Sequence, residues 1–315
     1  MDKIAVLIPC YNEELTIKKV VEDFKRELPE ATIYVYDNNS KDNTAQIAKD
    51  AGAVVIPEYK QGKGNVLRSM FRDIDAECYL MVDGDDTYPA NEAKKLVDPI
   101  LTGRVHMTLG DRLSSTYFTE NKRPFHNSGN KLLTYLINLI FHAKIHDLTS
   151  GYRGFSYLFA KSYPILSQGF EIETEMTVFA LDKKMDIVEE VIQYRDRPEG
   201  SYSKLNTFKD GFKVITEIFS LFKDIKPLTF FGIIAIVLFL IGLGGFISVY
   251  VEFLNTGLVP RIPTLIMSVF MGFLSVLSFS SGLILHSIKK YLNQLFELRM
   301  SEILTQQRKL FSTKQ

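Results

Sequence analysis

Two stretches without a charged side chain, Pro227 to Val251 and Ile262 to Leu285, constrain this chain more than any other feature. Each is about 24 residues, or roughly 36 Å of helix, enough to cross a bilayer core of about 30 Å. Gly242, Gly244, Gly245, Ser278, Ser280 and Ser281 lie inside them and suit close helix packing in lipid. Two buried helices of a soluble core are the competing reading, and adjacent uncharged runs of this length argue against it. Two transmembrane helices are expected.

The flanks give an orientation. Lys209, Lys213, Lys223 and Lys226 precede the first run, and Lys289, Lys290 and Arg299 follow the second. The connecting loop, Glu252 to Arg261, carries one Arg. Positive flanks stay on the cytoplasmic side, so the large N-terminal part and the C-terminal tail are both expected in the cytoplasm, on a multi-pass protein of the cytoplasmic membrane. Near the N-terminus, Lys3 precedes only a short apolar stretch, Ile4 to Ile8, which reads as a strand and not as a signal peptide.

Residues 1 to about 110 alternate strand and helix patterns. Strands are predicted over Lys3–Pro9, Thr32–Asp37, Ala53–Pro57, Tyr79–Asp83 and Val105–Leu109. Helices are predicted over Glu14–Glu27, Asp42–Ala51, Gly64–Ile74 and Asn91–Leu101, with a later strand over Ile187–Tyr194. This order predicts an α/β domain with a parallel sheet and helices on both faces, whose ligands sit at the carboxyl ends of the strands. Charge balances, 37 basic against 37 acidic residues, which gives no case for nucleic-acid binding. The two cysteines, Cys10 and Cys78, imply no disulfide framework, and Cys10 reads as a small strand-end residue more readily than as a nucleophile.

Polar residues cluster where the strands end. Pro9-Cys10-Tyr11-Asn12-Glu13 follows the first, Asp37-Asn38-Asn39-Ser40-Lys41-Asp42 the second, and Lys60-Gln61-Gly62-Lys63-Gly64 the third. The fourth runs into Asp83-Gly84-Asp85-Asp86. Mg²⁺ and Mn²⁺ want oxygen ligands and bind one or two carboxylates plus substrate phosphates. Asp83 and Asp85 point to one side of an extended chain, and Gly84 leaves room for a ligand. Taken singly, each cluster could be a cap or turn: Asp42 a helix N-cap, Gly62 and Gly64 turn glycines, and Asp-Gly-Asp-Asp an acidic turn. Four on one edge suggest a nucleotide site. Tyr11 can stack on a base, Asp37 can accept from a base N–H, Lys63 can face phosphate, and Asp83 with Asp85 can hold the metal. A dinucleotide fingerprint fails because Leu67 stands where its third glycine belongs, and no P-loop sequence occurs.

Pro9 to Glu13, Asp37 to Asp42 and Asp83-Gly-Asp85 together resemble the family 2 glycosyltransferases of the GT-A (Rossmann-like) fold. More narrowly, the chain resembles the membrane-anchored bacterial polyprenyl-phosphate glycosyltransferases, relatives of dolichyl-phosphate mannose synthase. The resemblance implies a nucleotide-sugar site built from Pro9, Tyr11, Glu13, Asp37, Asn39, Gly62, Lys63, Asp83, Gly84 and Asp85, with Mg²⁺ or Mn²⁺ on Asp83 and Asp85. Asp37 matches the base-contacting first Asp of the family's Asp-Asp-Gly-Ser, whose second Asp and Gly are here Asn38 and Asn39. Gly110-Asp111-Arg112 and Arg123 fall in the stretch that the family uses as an acceptor loop. His146-Asp147-Leu148-Thr149-Ser150-Gly151-Tyr152-Arg153 resembles its Asp-x-x-(Ser/Thr)-Gly segment, which places Asp147 at the acceptor side of the sugar and, with Asp85, among the catalytic residues. Arg195 to Lys204 resembles Arg-x-x-Gly-x-Ser-Lys with one extra residue, which makes Arg197, Ser203 and Lys204 acceptor-phosphate ligands along with Arg112 and Arg123.

His126–Phe141 carries Leu132, Leu133, Leu136, Ile137 and Ile140 at helical spacing and can lie against the membrane or the core. His142 and His146 stand four apart without an evident third ligand, so surface histidines are expected and not a zinc site. Glu171, Glu173 and Glu175 sit near the positive end of another predicted helix, and the resemblance implies that some of them shape the sugar pocket. Lys204 to Lys226 sets Leu205, Phe208, Phe212, Ile215, Phe219, Phe222 and Ile225 on one face with lysines interleaved, the pattern of an interfacial helix on anionic lipid.

The expected organisation is a cytoplasmic GT-A domain over 1–203, a juxtamembrane amphipathic helix over 204–226, two transmembrane helices over 227–286 and a cytoplasmic tail over 287–315. By resemblance the activity is inverting transfer of one sugar from a nucleotide-sugar, a UDP-hexose or UDP-N-acetylhexosamine, to polyprenyl (undecaprenyl) phosphate, supplying a lipid-linked sugar for cell-envelope glycans. The resemblance also allows a homo-oligomer as large as a tetramer. A processive polysaccharide synthase of the same superfamily would carry Gln-x-x-Arg-Trp, and this chain has no Trp. A catalytically inactive, membrane-anchored nucleotide-sugar-binding scaffold is the rival from another class.

Overall fold

A computed structural model describes residues 1–115, 126–167, 171–195, 219–220 and 222–312, with the side chains of 126–130 and 312 left out. The chain divides into two compact units, Met1–Gly211 with Arg299–Gln315, and Phe212–Leu298.

The first unit is built on a seven-stranded sheet in the order β3-β2-β1-β4-β6-β5-β7. Its strands are β1 (Asp2–Cys10), β2 (Ala31–Asp37), β3 (Val54–Pro57), β4 (Ala76–Met81), β5 (Met107–Asp111), β6 (Arg153–Ser156) and β7 (Ile187–Val191). β1 is central, and Ile4 to Ile8 are buried without alternation because both faces of the sheet are covered. Helix α1 (Ile17–Glu27) buries Ile17, Val20, Val21 and Phe24, one stripe at helical spacing, while its lysines face solvent. α2 (Thr44–Asp50), α3 (Lys63–Asp73) and α4 (Ala93–Leu101) fill the other crossovers.

β1 pairs in parallel with both β2 and β4, β2 in parallel with β3, and β5 in parallel with β7. β6 runs antiparallel between β4 and β5, so the sheet is mixed and not all parallel as the βα alternation predicts. β6 escapes a reading from periodicity because it has four residues, one of them Gly154. Its direction has a consequence for the site. The carboxyl ends of β1 to β5 and the amino end of β6 share one edge, so the segment leading into β6 meets the loops leaving the other strands. The strand order also reverses between β1 and β4, the place where open α/β sheets bind ligands.

α5 (His126–Phe141), α6 (Tyr157–Ser162) and α7 (Ile172–Asp182) complete the described part of this unit. α5 buries Leu133 and Ile137 and exposes Leu132, Tyr135 and Leu139, so its apolar residues are divided between the core and a second, uncovered face. Most of the predicted helix over 204–226 lies outside the described residues.

The second unit contains α8 (Pro227–Thr256) and most of α9 (Ile262–Ser312), both long and apolar enough to cross a membrane. Their apolar stretches are mostly uncovered by protein, which distinguishes them from core helices of a soluble domain. They pack on each other through small residues: Ser275 Oγ donates to Ala235 O at 2.8 Å, Ser278 Oγ to Phe231 O at 3.0 Å, and Gly242 faces the Ser268 backbone. Gly244 faces open space, and Ser281 Oγ bonds within its own helix. α9 runs on beyond residue 286 through most of the tail residues, 51 residues and about 76 Å in all.

Candidate active site

The loop after β2 shows how one polar side chain ties two strand ends together. Asn38 is buried, its Nδ2 donates to Glu58 O at 2.9 Å and Lys60 O at 2.8 Å, and its Oδ1 accepts from Gly62 N at 2.7 Å. Asn39 follows with φ 61° and donates to Tyr59 O at 2.8 Å. The two asparagines therefore hold the second and third loops against each other. Asp37, beside them, accepts from Ser40 N at 3.3 Å through Oδ2, while its Oδ1 is buried with no hydrogen-bond partner among the described residues. An acceptor left bare in that way is costly unless a ligand donor fills it.

The loop after β1 is fixed to the same edge. Asn12 N donates to Ser40 Oγ at 2.9 Å, Asn12 Oδ1 accepts from Lys41 N at 2.8 Å, and Glu13 N donates to Thr44 Oγ1 at 2.8 Å. Asp42 accepts from Thr44 N at 3.0 Å and Glu14 N at 3.2 Å, joining the first turn of α2 to this loop. Pro9, Tyr11 and Glu13 are half-buried at the mouth of the edge.

Asp83 lies two residues beyond the end of β4. Its Oδ1 meets Lys63 Nζ at 2.6 Å, and the same ammonium meets Glu173 Oε1 at 2.6 Å. Lys63 opens α3 and Glu173 lies in the first turn of α7, so three elements converge. Burial disfavours the charged amine, but Asp83 and Glu173 outweigh it and hold the Lys63 pKa above its ordinary range. Asp85 is buried and accepts from Thr87 Oγ1 at 2.7 Å and Thr87 N at 3.3 Å through Oδ1. A Cβ on Gly84 would lie 2.8 Å from the Sγ of Cys10, a buried strand-end residue, so a larger residue at 84 would press on Cys10.

The donor set fits a hard divalent cation: two carboxylates, one partly exposed at 30%, at the edge where the strand order reverses. Among the described residues no three His, Cys, Asp or Glu side chains converge to hold a metal alone. A cation here would complete its shell with water or a bound diphosphate.

The segment 146–151, which leads into β6, is fastened at almost every residue. Glu189 accepts from His146 N at 2.8 Å and Asp147 N at 2.9 Å, and its Oε2 lies 2.9 Å from the His146 ring. Asp147 is fully buried and accepts from Arg112 Nε at 2.7 Å and Arg112 Nη2 at 3.4 Å. Arg112 Nη2 also reaches Thr149 Oγ1 at 2.9 Å, and Nη1 reaches Tyr88 OH at 3.3 Å. Burial pushes the Arg112 pKa down, and Asp147 more than restores it. Tyr88 OH in turn accepts from Gly151 N at 2.9 Å.

Arg153 completes this arrangement; it closes the stretch His146 to Arg153, but the sequence assigns it no role. It is fully buried, donating to Leu148 O at 2.6 Å, Ser150 O at 2.7 Å and Thr177 Oγ1 at 2.8 Å. Burial pushes its pKa down to about 10, opposed by the charges of Glu173 and Asp147, so it stays a cation at neutral pH. Tyr88 and Glu189 were missed as well, because each acts through a partner distant in sequence. Gly151 belongs to the motif, and its need is visible only in space: a Cβ there would lie 2.4 Å from Asp83 Oδ2.

Of the residues expected at the site, those from Pro9 to Asp85 are placed at the shared edge, and Arg112 and Asp147 are placed together. Arg123, Arg197, Ser203 and Lys204 lie outside the described residues. Arg112 directs its guanidinium to Asp147, Thr149 and Tyr88, beside the Tyr194 ring 5.7 Å away.

Residues 5–162 match the glycosyl transferase family 2 domain. Glycosyltransferase AglJ of Haloferax volcanii is 34% identical over 80% of this chain and 82% of its own length. The dolichyl-phosphate hexose transferase of the same organism is 29% identical over 67% and 90%. Among solved structures, Mycobacterium tuberculosis glucosyl-3-phosphoglycerate synthase in complex with Mn²⁺, UDP-glucose and phosphoglyceric acid superposes with a TM-score of 0.55 at 20% identity, over 71% of this chain and 79% of that one. At that identity the likeness concerns the fold.

Proposed function

The chain belongs to family 2 of the glycosyltransferases, and from that premise we propose that it transfers one sugar from a UDP-sugar to a polyprenyl phosphate at the cytoplasmic face of a membrane. The observation that carries the reading is the meeting, at one sheet edge, of the bare buried oxygen of Asp37 with the Asp83–Lys63 pair. The first suits a base N–H and the second a diphosphate. Two helices able to cross a membrane, and a relative named dolichyl-phosphate hexose transferase, support a lipid phosphate as acceptor.

On this reading Asp37 and Tyr11 hold the base and Lys63 faces the diphosphate. Asp83 and Asp85 would hold Mg²⁺ or Mn²⁺, which when bound offsets charge on the leaving diphosphate. An oxygen of the lipid phosphate forms the new bond to the anomeric carbon while the bond to the diphosphate breaks, with inversion. The electron pair leaves with the nucleoside diphosphate. A phosphate monoester has a second pKa of about 6, so its oxygen is already anionic at neutral pH and needs no base. Asp147, buried and bound to Arg112, therefore orients and does not take a proton. Arg197, Ser203 and Lys204 are the acceptor-phosphate ligands by motif, with Arg123 as a further cation. Both chain termini lie in the cytoplasm.

The test is transfer by the purified full chain in detergent, with undecaprenyl phosphate, Mg²⁺ or Mn²⁺, and a panel of UDP- and GDP-sugars. A single sugar in the lipid fraction from one UDP-sugar is expected. Absence of any lipid-linked product across the panel overturns the reading.

A further inference from the structure

The Lys63 ammonium is shared between two carboxylates that differ in exposure. Glu173 is 6% exposed at the side chain and Asp83 is 30% exposed. Glu173 is thus the interior partner, and Asp83 the one at the solvent boundary. Glu173 Oε2 is buried without a hydrogen-bond partner among the described residues, and Arg153 lies within electrostatic reach. The interior carboxylate consequently depends on nearby cations, and Lys63 is in direct contact with it.

Resting on the donor-site reading above, we propose that Glu173 is a positioning residue that keeps Lys63 as the resident counter-ion of Asp83, and that Lys63 thereby couples divalent-cation binding to nucleotide binding. A divalent cation approaching Asp83 meets a positive charge already seated on that carboxylate. Both cannot use the same oxygen, and they repel each other in a partly desolvated site. A nucleoside diphosphate changes the balance because its phosphate oxygens offer the ammonium another partner. Lys63 can then turn from Asp83 without abandoning Glu173, which leaves the interior charge compensated. Cation affinity is therefore low in the free protein and rises with nucleotide, and linkage requires the cation to raise nucleotide affinity by the same factor.

The experiment counts free Mn²⁺ by electron paramagnetic resonance in titrations of the full-length protein in detergent, with and without UDP, alongside thermal unfolding of each variant. Wild type should bind Mn²⁺ about tenfold or more tightly with UDP than without it. Lys63→Gln should tighten Mn²⁺ binding in the absence of UDP by about tenfold and bring the UDP effect towards unity. Lys63→Arg keeps the charge and should restore the low nucleotide-free affinity, which a purely structural role would not require. Glu173→Gln removes the charge that keeps Lys63 seated beside Asp83, and should tighten nucleotide-free Mn²⁺ binding severalfold. Unchanged or weaker Mn²⁺ affinity in folded Lys63→Gln overturns the inference alone. Should Lys63→Gln not fold, unchanged or weaker binding by Glu173→Gln overturns it. Wild type that binds no Mn²⁺ even with UDP overturns the metal assignment at Asp83 and the inference with it, whereas lipid transfer is read in a separate assay.

Discussion

The backbone of Gly151 is pressed against the carboxylate of Asp83, so closely that a Cβ on Gly151 would lie 2.4 Å from Asp83 Oδ2. A glycine from the segment entering β6 thus fixes a carboxylate from the end of β4. Asp83 cannot simply swing away, because its other oxygen is held by Lys63. Gly151→Ala should displace Asp83 and lower kcat/KM by about tenfold to a hundredfold, since displacements near 1 Å can cost that much. Steady-state kinetics checks this. An alanine variant with wild-type turnover would mean that Asp83 does not need its observed position.

Asp85 offers a cleaner probe of the acidic pair. Its Oδ1 accepts from Thr87, and asparagine can keep that carbonyl oxygen while losing the charge. Asp85→Asn should leave the fold intact and reduce transfer by about 10²–10³-fold, the scale of losing one electrostatic stabiliser. Thermal unfolding and activity are measured together after chelation and Mg²⁺ replenishment. Near-normal turnover would show that Asp85 is not a ligand.

Arg153 makes a prediction about stability. Arg153→Met leaves Leu148 O and Ser150 O without their guanidinium donors, at about 1–3 kcal/mol for each buried acceptor. The unfolding midpoint should fall, and activity should fall further because the loop bearing Asp147 loosens. Arg153→Lys restores the charge but cannot span all three acceptors, so it should recover only part of both. If Arg153→Met unfolds at the wild-type temperature, the buried fork is not what fastens the loop.

Part of this arrangement was legible in the sequence. The placement of Asp37, Asp83 and Asp85 at the sheet edge was readable because the first ends one strand and the other two follow the apolar run of another, and Pro227 to Val251 because no charge interrupts it. The antiparallel β6 was not, since Arg153 to Ser156 presents no alternation and pairs with strands more than 40 residues away. Tyr88 and Glu189 were hidden for the same reason: their partners are made adjacent by topology, not by spacing. A signal existed for Arg153, a cation directly following Gly151-Tyr152 in a segment otherwise apolar or small, but its burial could not be read from that. The second helix runs on beyond the apolar run that ends at Leu285, a continuation that hydropathy alone does not show.

Topology supplies a further expectation. Thr256 ends α8 and Ser312 ends α9, and on the proposed two-crossing topology the positive flanks would put them on opposite sides of the membrane. Thr256→Cys and Ser312→Cys can be compared by labelling, against a low background because Cys10 and Cys78 are buried. In sealed cells an impermeant maleimide should modify the first and reach the second only after lysis. Equal protection of both would contradict two crossings.

The last expectation concerns the Arg112–Asp147 pair. If Asp147 were a general base, its carboxylate would have to meet the attacking group, and its ionisation would shape the pH–rate profile. The carboxylate is instead fully buried, with Arg112 on both oxygens at 2.7 and 3.4 Å and Thr149 N on Oδ1 at 3.3 Å. Arg112 is held in place by the same contacts, beside Tyr88 and Thr149. Asp147→Asn keeps the size and one acceptor oxygen but leaves a buried guanidinium without its counter-charge, which costs about 3–5 kcal/mol when a buried pair is broken. The unfolding midpoint should therefore fall, and kcat should drop by about tenfold to a hundredfold as the loop and Arg112 shift. The profile at saturating lipid should keep its shape, because the nucleophile is a phosphate oxygen whose second pKa is about 6 whichever residue stands at 147. Any acidic limb near that value should persist in the variant, with rate lost as pH falls and the phosphate takes up a proton. The measurement is a pair of pH–rate profiles, wild type and Asp147→Asn, under identical lipid saturation. A titrating limb present in the wild type and missing in the variant, with rate at background, would make Asp147 the base and remove the positioning role argued from its pair with Arg112.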